Sequence, residues 1–321
     1  MSEQLLTFEC FGGACTVGVA GDGPLGPAAV AVETVRMLLL DWHRRFSRFE
    51  ADSALSRLNA DERPVVEAGP LMVRLAQAVA DAGRATGGLV DATVTAEIEA
   101  AGYASHFEGD GIPLREALAA APARRPATGD PRRRWAAIDA DAAAGTIARP
   151  PGVRLDSGGL AKGLFGDVIA EELAGYELFV VNLCGDLRLG GTRGAERRVD
   201  VDSPFDGRVL HAFRLAGGAV ATSGIGRRSW RGADGAPAHH ILDPATGRPA
   251  YTGLVQVTAL APTALEAEWR SKAALLSGPG AARDHLPHGG VLVFDDESHE
   301  VVMRPRVVVR VRGAELDLAI A

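Results

Sequence analysis

The stretch VRLDSGGLAKGLFGDVIAEELAGYELFVVNLCGDLRLGG, from Val153 to Gly191, decides how the chain is read. It runs from a strand-like start through a glycine hinge into an amphipathic segment, then a second apolar run and a glycine-rich exit. That is the pattern of a strand feeding a helix that returns to a sheet. The hinge, Ser157-Gly158-Gly159, falls where the helix would begin. A helix N-terminus presents unpaired N–H groups and partial positive charge, and glycine lets a ligand approach the backbone, so a phosphate can be received there. The same residues serve a tight turn equally well, because a glycine pair before Ala-Lys-Gly is a weak signal alone.

Upstream, Leu5 to Phe11 and Ala14 to Ala20 are short β-like runs divided by Gly12-Gly13, a hairpin at the edge of a sheet. Val32, Val35, Leu39, Trp42, Phe46 and Phe49 recur at steps of three and four and predict one long helix from Ala28 with a single apolar face. Asp52-Ser53 offers caps for a short helical turn through Leu58 that ends at Asn59. Pro70 to Thr86 predicts another helix, with proline at its start, Gly87-Gly88 at its end, and Leu71, Leu75 and Val79 as its buried stripe. From Phe107 to Arg134 the periodicity decays into a basic surface loop, in which Arg124, Arg125 and Arg132 to Arg134 form either a solvated face or an anion patch. Trp135 to Arg149 reads as a hairpin.

Downstream of Gly191 the chain becomes strand-rich, at Val199–Val201, Val209–Leu215, Ala219–Ala221 and Val255–Leu260. A helix from about Thr263 to Ser277 follows, then β-like segments at Val291–Phe294, Val301–Met303 and Val307–Val311. Strand clusters mixed with helices predict an α+β fold with mixed or antiparallel sheets and packed helices, rather than an alternating parallel one. The expected organisation is one unit over residues 5–303, with the loop at about 107–134, and a β-like extension over 304–321.

The 321 residues suffice for a large core, and 47% hydrophobic with 23% charged residues is the balance of a globular protein. A net charge of −7 argues against nucleic acid as a partner, since phosphate backbones select a surplus of Lys and Arg. Cys10, Cys15 and Cys184 lack metal-ligand spacing and are odd in number, which fits a reducing compartment. The start MSEQLLTFECFGG has no basic region followed by an apolar one, and no apolar run approaches the roughly 20 residues of a membrane span. The expectation is a cytoplasmic protein with no membrane partner.

Three more clusters carry chemistry: FSRFEADSALSRLN (Phe46 to Asn59), GGLVDATV (Gly87 to Val94) and ATSGIGRRSWRGADGAPAHHILDPATGRPA (Ala221 to Ala250). Each has turn chemistry of its own. Their order, however, resembles the ApbE family of flavin transferases. The likeness runs through Phe49 and Asp52 to Asn59; Gly88, Asp91, Thr93 and Val94; Asp156, Gly158, Gly159, Ala161, Lys162 and Gly163; Asn182, Gly185 and Asp186; Thr222 to Gly224; and His240 to Gly247.

The resemblance implies two lobes around an FAD cleft and an enzyme that passes the FMN part of FAD to a threonine of an acceptor flavoprotein, releasing AMP. It implies phosphate contacts at Thr222, Ser223 and Gly224, a cofactor wall with Asp156, Gly158, Gly159 and Asp243, and an aromatic at Phe49 that stacks on a ring. His240 is the implied base and Lys162 the implied phosphate partner. The family also binds Mg²⁺ through the backbone carbonyl of the Ala-Lys-Gly element, here Ala161, and an Asp and a Thr of a late helix. This chain has Glu268 and Lys272 there instead. Lysine cannot ligate a cation, so Lys272 either pairs with Glu268 one turn away or stands in for the metal. These departures leave an alternative reading, an FAD-binding protein that has lost the Mg-dependent step and uses or stores its flavin.

Overall fold

The computed structural model describes residues 2–105, 111–232 and 234–303, together with the backbone of 307–311 and 314–318. Its main sheet has eight strands: β1 (Gln4–Cys10), β2 (Gly13–Ala20), β3 (Leu178–Leu183), β4 (Asp186–Gly190), β5 (Gly218–Gly224), β6 (Leu254–Ala261), β7 (Gly290–Phe294) and β8 (His299–Val302). Their spatial order is their chain order, and every neighbouring pair is antiparallel. The helices are α1 (Ala28–Arg45), α2 (Ala54–Ala60), α3 (Pro70–Ala85), α4 (Thr95–Ala100), α5 (Leu114–Ala119), α6 (Ala161–Leu173) and α7 (Ala264–Ser277). Long excursions therefore interrupt a simple meander, and the class is α+β.

The β1–β2 turn uses two left-handed residues, Phe11 (φ 55°) and Gly12 (φ 79°), the twist that suits a two-residue hairpin loop. Helix α1 buries Val32, Val35, Leu39 and Trp42 and stops at Arg45, where the Phe46 N–H returns to the Trp42 carbonyl at 2.9 Å. Phe49 therefore lies beyond the helix and not on its apolar face. Helix α2 begins as expected, with Ser53 Oγ accepting from Ser56 N at 2.9 Å.

One apolar core packs α1, α3 and α6 against β1 to β3, and a second gathers β6, β7 and the C-terminal half of α7. At the centre of the first, the Phe165 ring meets Phe11, Trp42 and Phe46 at centroid distances of 5.7, 5.2 and 5.2 Å. Such aromatic pairs add about 0.5–1.5 kcal/mol each beyond the area they bury. This cluster fixes α6 on the sheet.

Two expectations change. Val153 to Asp156 joins no sheet. Its buried Leu155 instead gives its carbonyl to Asn59 Nδ2 and takes Asn59 Oδ1 on its N–H, both at 2.8 Å, so one side-chain amide replaces a neighbouring strand. In the 107–134 loop, residues 107–110 lie outside the described residues. The rest contains α5 and is tied down: Arg124 meets Asp295 at 2.7 Å, and Arg132 and Arg134 each meet Glu97 at 2.8 Å. These guanidinium groups face carboxylates, not an open anion patch. Residues 135–149 do form a hairpin, Asp139–Asp141 with Thr146–Ala148. The strands Val307–Val311 and Ala314–Leu318 pair with each other.

Candidate functional site

The Ser157-Gly158-Gly159 hinge is a single 3-10 turn, capped by Asp156 Oδ1 on Gly158 N at 2.8 Å, and α6 starts two residues later. The N-terminus of α6 lies directly against that of α7. A Cβ on Gly163 would stand 2.6 Å from the Ala264 carbonyl oxygen, so only glycine allows this approach. At that distance each helix caps the other. Asp167 of α6 accepts from Ala264 N (2.7 Å) and Leu265 N (2.9 Å) of α7, and Glu268 of α7 accepts from Gly163 N of α6 at 2.8 Å. Both carboxylates sit at a positive helix end, where negative charge is favoured.

Two lysines join this corner. Lys162 forms an ion pair with Asp186, the first residue of β4, and Asp186 Oδ1 accepts from Thr222 N at 3.1 Å. Burial by itself would lower the Lys162 pKa, but Asp186 and then Glu268 outweigh it and hold the ammonium above its ordinary 10.5. Lys272 reaches Glu268 Oε1 at 3.0 Å. Here the carboxylate is 1% exposed and the lysine 19%, so this is no solvated surface pair.

Thr222 is exposed and its hydroxyl shares a hydrogen bond with Thr258 at 2.8 Å. Its neighbour Ser223 is buried and its hydroxyl meets Ser271 of α7 at 2.8 Å. Gly224 closes β5. The half-buried His240 brings Nδ1 to 3.4 Å from the Arg228 carbonyl. Burial, then the charges of Arg228, His239 and Lys272, push its pKa down to about 3, so the imidazole is neutral. His239 is buried, and its Nδ1 accepts from Ile241 N at 3.3 Å. Burial puts its pKa at about 3 too.

The structure thus brings Lys162, Glu268 and Lys272 to one corner, within electrostatic reach of His240 and Arg228. It places Asp243 differently. Asp243 Oδ1 accepts from Thr128 N at 3.0 Å and Oδ2 from Thr246 Oγ1 at 2.9 Å, which organises the turn and pins the 121–134 loop. Phe49 lies under the Arg48 guanidinium (4.2 Å to the centroid) and edge-on to Tyr103 at 5.5 Å, while Arg48 also reaches Asp156 at 3.6 Å. Sequence reasoning missed Asp167, Arg188 and Arg228. An Asp within helix α6 and an Arg in an arginine pair look like solvated surface until their partners are known.

A divalent cation does not fit the donors present around Glu268. One carboxylate oxygen accepts from Gly163 N and the other from Lys272, and the ammonium, with three donors and no lone pair, offers a cation no ligand and puts a positive charge beside the carboxylate.

An eight-stranded antiparallel sheet with two lysine–carboxylate pairs gathered where the N-termini of α6 and α7 abut defines an α+β protein. The chain belongs to the ApbE family, whose sequence model matches residues 11–293. An FAD:protein FMN transferase of Klebsiella pneumoniae is 31% identical over 261 residues, covering 78% of this chain and 72% of that protein. One of Escherichia coli is 28% identical over 274 residues, 81% of this chain and 76% of that protein. Among solved structures, an ApbE protein of Thermotoga maritima superposes with a TM-score of 0.75 at 24% identity, over 94% of this chain and 97% of its own. The flavin transferase ApbE of Vibrio cholerae superposes at 0.71 and 20% identity, over 94% and 97%. At these identities the two structures speak for the fold alone.

Proposed function

We propose that this chain is an FAD:protein FMN transferase, which binds FAD and passes its FMN moiety to a threonine hydroxyl of an acceptor flavoprotein with release of AMP. The observation that carries the reading is the Lys162 ammonium, held by Asp186 beside Thr222 at the N-terminus of α6. The names of the relatives supply the chemistry it serves. They also disfavour the alternative in which flavin is only stored or used.

In the reaction the acceptor oxygen forms a bond to the FMN-side phosphorus, the bond from that phosphorus to the bridging oxygen breaks, and AMP departs with that oxygen. Lys162 neutralises charge on the phosphoryl oxygens, and fixed positioning supplies much of the acceleration. His240 takes the hydroxyl proton. With Nδ1–H directed to the Arg228 carbonyl, Nε2 carries the lone pair. A pKa of about 3 makes it a weak base in the free protein. Burial is the largest cause of that depression; an arriving pyrophosphate offsets the smaller part due to the Arg228 and Lys272 charges, and to that extent raises its basicity when substrate is present. Thr222, Gly224, Gly158 and Gly159 line the phosphate side, Asp156 and Phe49 hold the edge with Arg48, and Ser223 and Asp243 brace the strand and turn behind them. No step runs through Mg²⁺.

Three unpaired cysteines support a reducing, cytoplasmic setting. No helix among the described residues is long and apolar enough to cross a membrane.

The test is incubation with FAD and candidate acceptor flavoproteins carrying an accessible threonine. Stoichiometric AMP and a flavin-fluorescent acceptor band that survives denaturation are expected, and His240→Ala should lower the rate by about 100-fold or more. Stable FAD with no AMP across acceptors would contradict the reading.

A further inference from the structure

Lys272, like Lys162, is held by a single carboxylate and keeps donors free. Glu268 is buried on α7 and fixed by the Gly163 N–H, so its charge needs a permanent counter-ion, and Lys272 one turn on supplies it at 3.0 Å. The ammonium is nevertheless 19% exposed, and Glu268 is its one hydrogen-bond partner among the described residues. Two of its three hydrogens remain to be donated. It lies near enough to His240 for its charge to bear on that ring, and Glu268 also acts on Lys162, so both ammonium groups share one corner.

The charges of that corner are Lys162, Lys272 and Arg228 against Asp186 and Glu268. The surplus is positive and Lys162 lies in the first turn of α6, which suits a dianionic pyrophosphate. A metal would have to displace Lys272 from Glu268 and leave its ammonium beside a divalent ion. Such like-charge contact is strongly unfavourable at a half-buried position. We infer that Lys272, held by Glu268, is the cationic anchor for the pyrophosphate of FAD, so that this chain binds its nucleotide without a divalent cation. The inference rests on the transferase reading and adds to it how the phosphates are neutralised.

Fluorescence titration of the full chain with FAD, after chelation with EDTA and again with millimolar Mg²⁺, tests it. The wild-type Kd should agree within about two-fold between the buffers, and Lys272→Met should raise it about ten-fold or more, while Lys272→Arg retains most of the affinity. The double variant Glu268→Asp/Lys272→Thr should bind FAD more tightly with Mg²⁺ than with EDTA. A wild-type affinity that collapses on chelation overturns the inference alone, and so does Lys272→Met binding as wild type. That first arm uses unmodified protein, so an unstable variant does not mask the result. No FAD binding in either buffer overturns the transferase reading, and the inference with it.

Discussion

Asp167 and Glu268 perform the same task in opposite directions, each capping the helix across from it, yet the two halves of this junction end in different states. Asp167 is joined by Arg188 Nε at 3.1 Å, and Nη1 of the same guanidinium donates to the carbonyls of Leu189 (2.8 Å) and Gly218 (3.0 Å). That cation has three protein acceptors, one carboxylate and two carbonyls. Glu268 is joined by Lys272, which keeps hydrogens to spare, and the same carboxylate acts on the lysine of the neighbouring pair. Symmetric capping therefore produces a scaffold on one side and a site on the other. What separates them is how many protein acceptors the cation already has, three for Arg188 and one for Lys272 among the described residues.

The contrast can be broken most forcefully at Glu268. Removing one member of a buried ion pair costs about 3–5 kcal/mol, so Glu268→Ala should lose stability on that scale in urea unfolding. Asp167→Ala leaves a more exposed junction and loses two cap bonds, at about 1–2 kcal/mol. Equal losses would mean that the two caps are not distinguished by burial. Gly163→Ala tests the approach itself: with its Cβ 2.6 Å from the Ala264 oxygen, overpacking should cost about 1–3 kcal/mol in the same assay. A neutral result would show that the helices can separate at no cost.

Acid sharpens the comparison on the Lys272 side. His239 and His240 have folded pKa values of about 3 against 6.5 for an ordinary histidine. The unfolded chain therefore binds the extra protons first. The stability due to neutral burial is fully present above pH 6.5 and is lost as pH falls toward 3, with a slope of about 1.4 kcal/mol per pH unit from His239. Chemical denaturation across that window should show the decline, and a flat profile would place these rings in solvent. The smallest effect belongs to Thr263, whose hydroxyl accepts from Glu266 N at 3.2 Å. Because Asp167 already holds Ala264 and Leu265, Thr263→Ala should cost no more than about 1 kcal/mol, read as a shift in thermal midpoint.

Much of the fold was legible because local signals act locally. The Gly12-Gly13 hairpin, the α1 stripe through Trp42, the Ser53 cap and the alternating strands after Gly191 all follow from spacing within one element. Val153 to Asp156 misled for a physical reason: an apolar extended run shows that its backbone needs partners, not whether they come from a strand or from Asn59, 96 residues earlier. The site divides in the same way. Lys162 and Asp186 stood out through their motifs, and Glu268 with Lys272 through a departure from one. The use of Glu268 depends on Gly163, 105 residues away, and that of Asp167 on Ala264, 97 residues away. No local pattern reports such contacts. Asp243 shows the converse, since its motif membership was plain while its oxygens prove to be committed to backbone and to Thr246.

The most direct test of the division between scaffold and site is to measure the FAD dissociation constant and thermal midpoint together for Arg188→Met and Lys272→Met. Arg188→Met should melt several degrees lower and bind FAD as the wild type does. Lys272→Met should lose about ten-fold or more in FAD affinity, beyond any change in its midpoint. Equal losses of affinity in both variants, or none in Lys272→Met, would contradict the account.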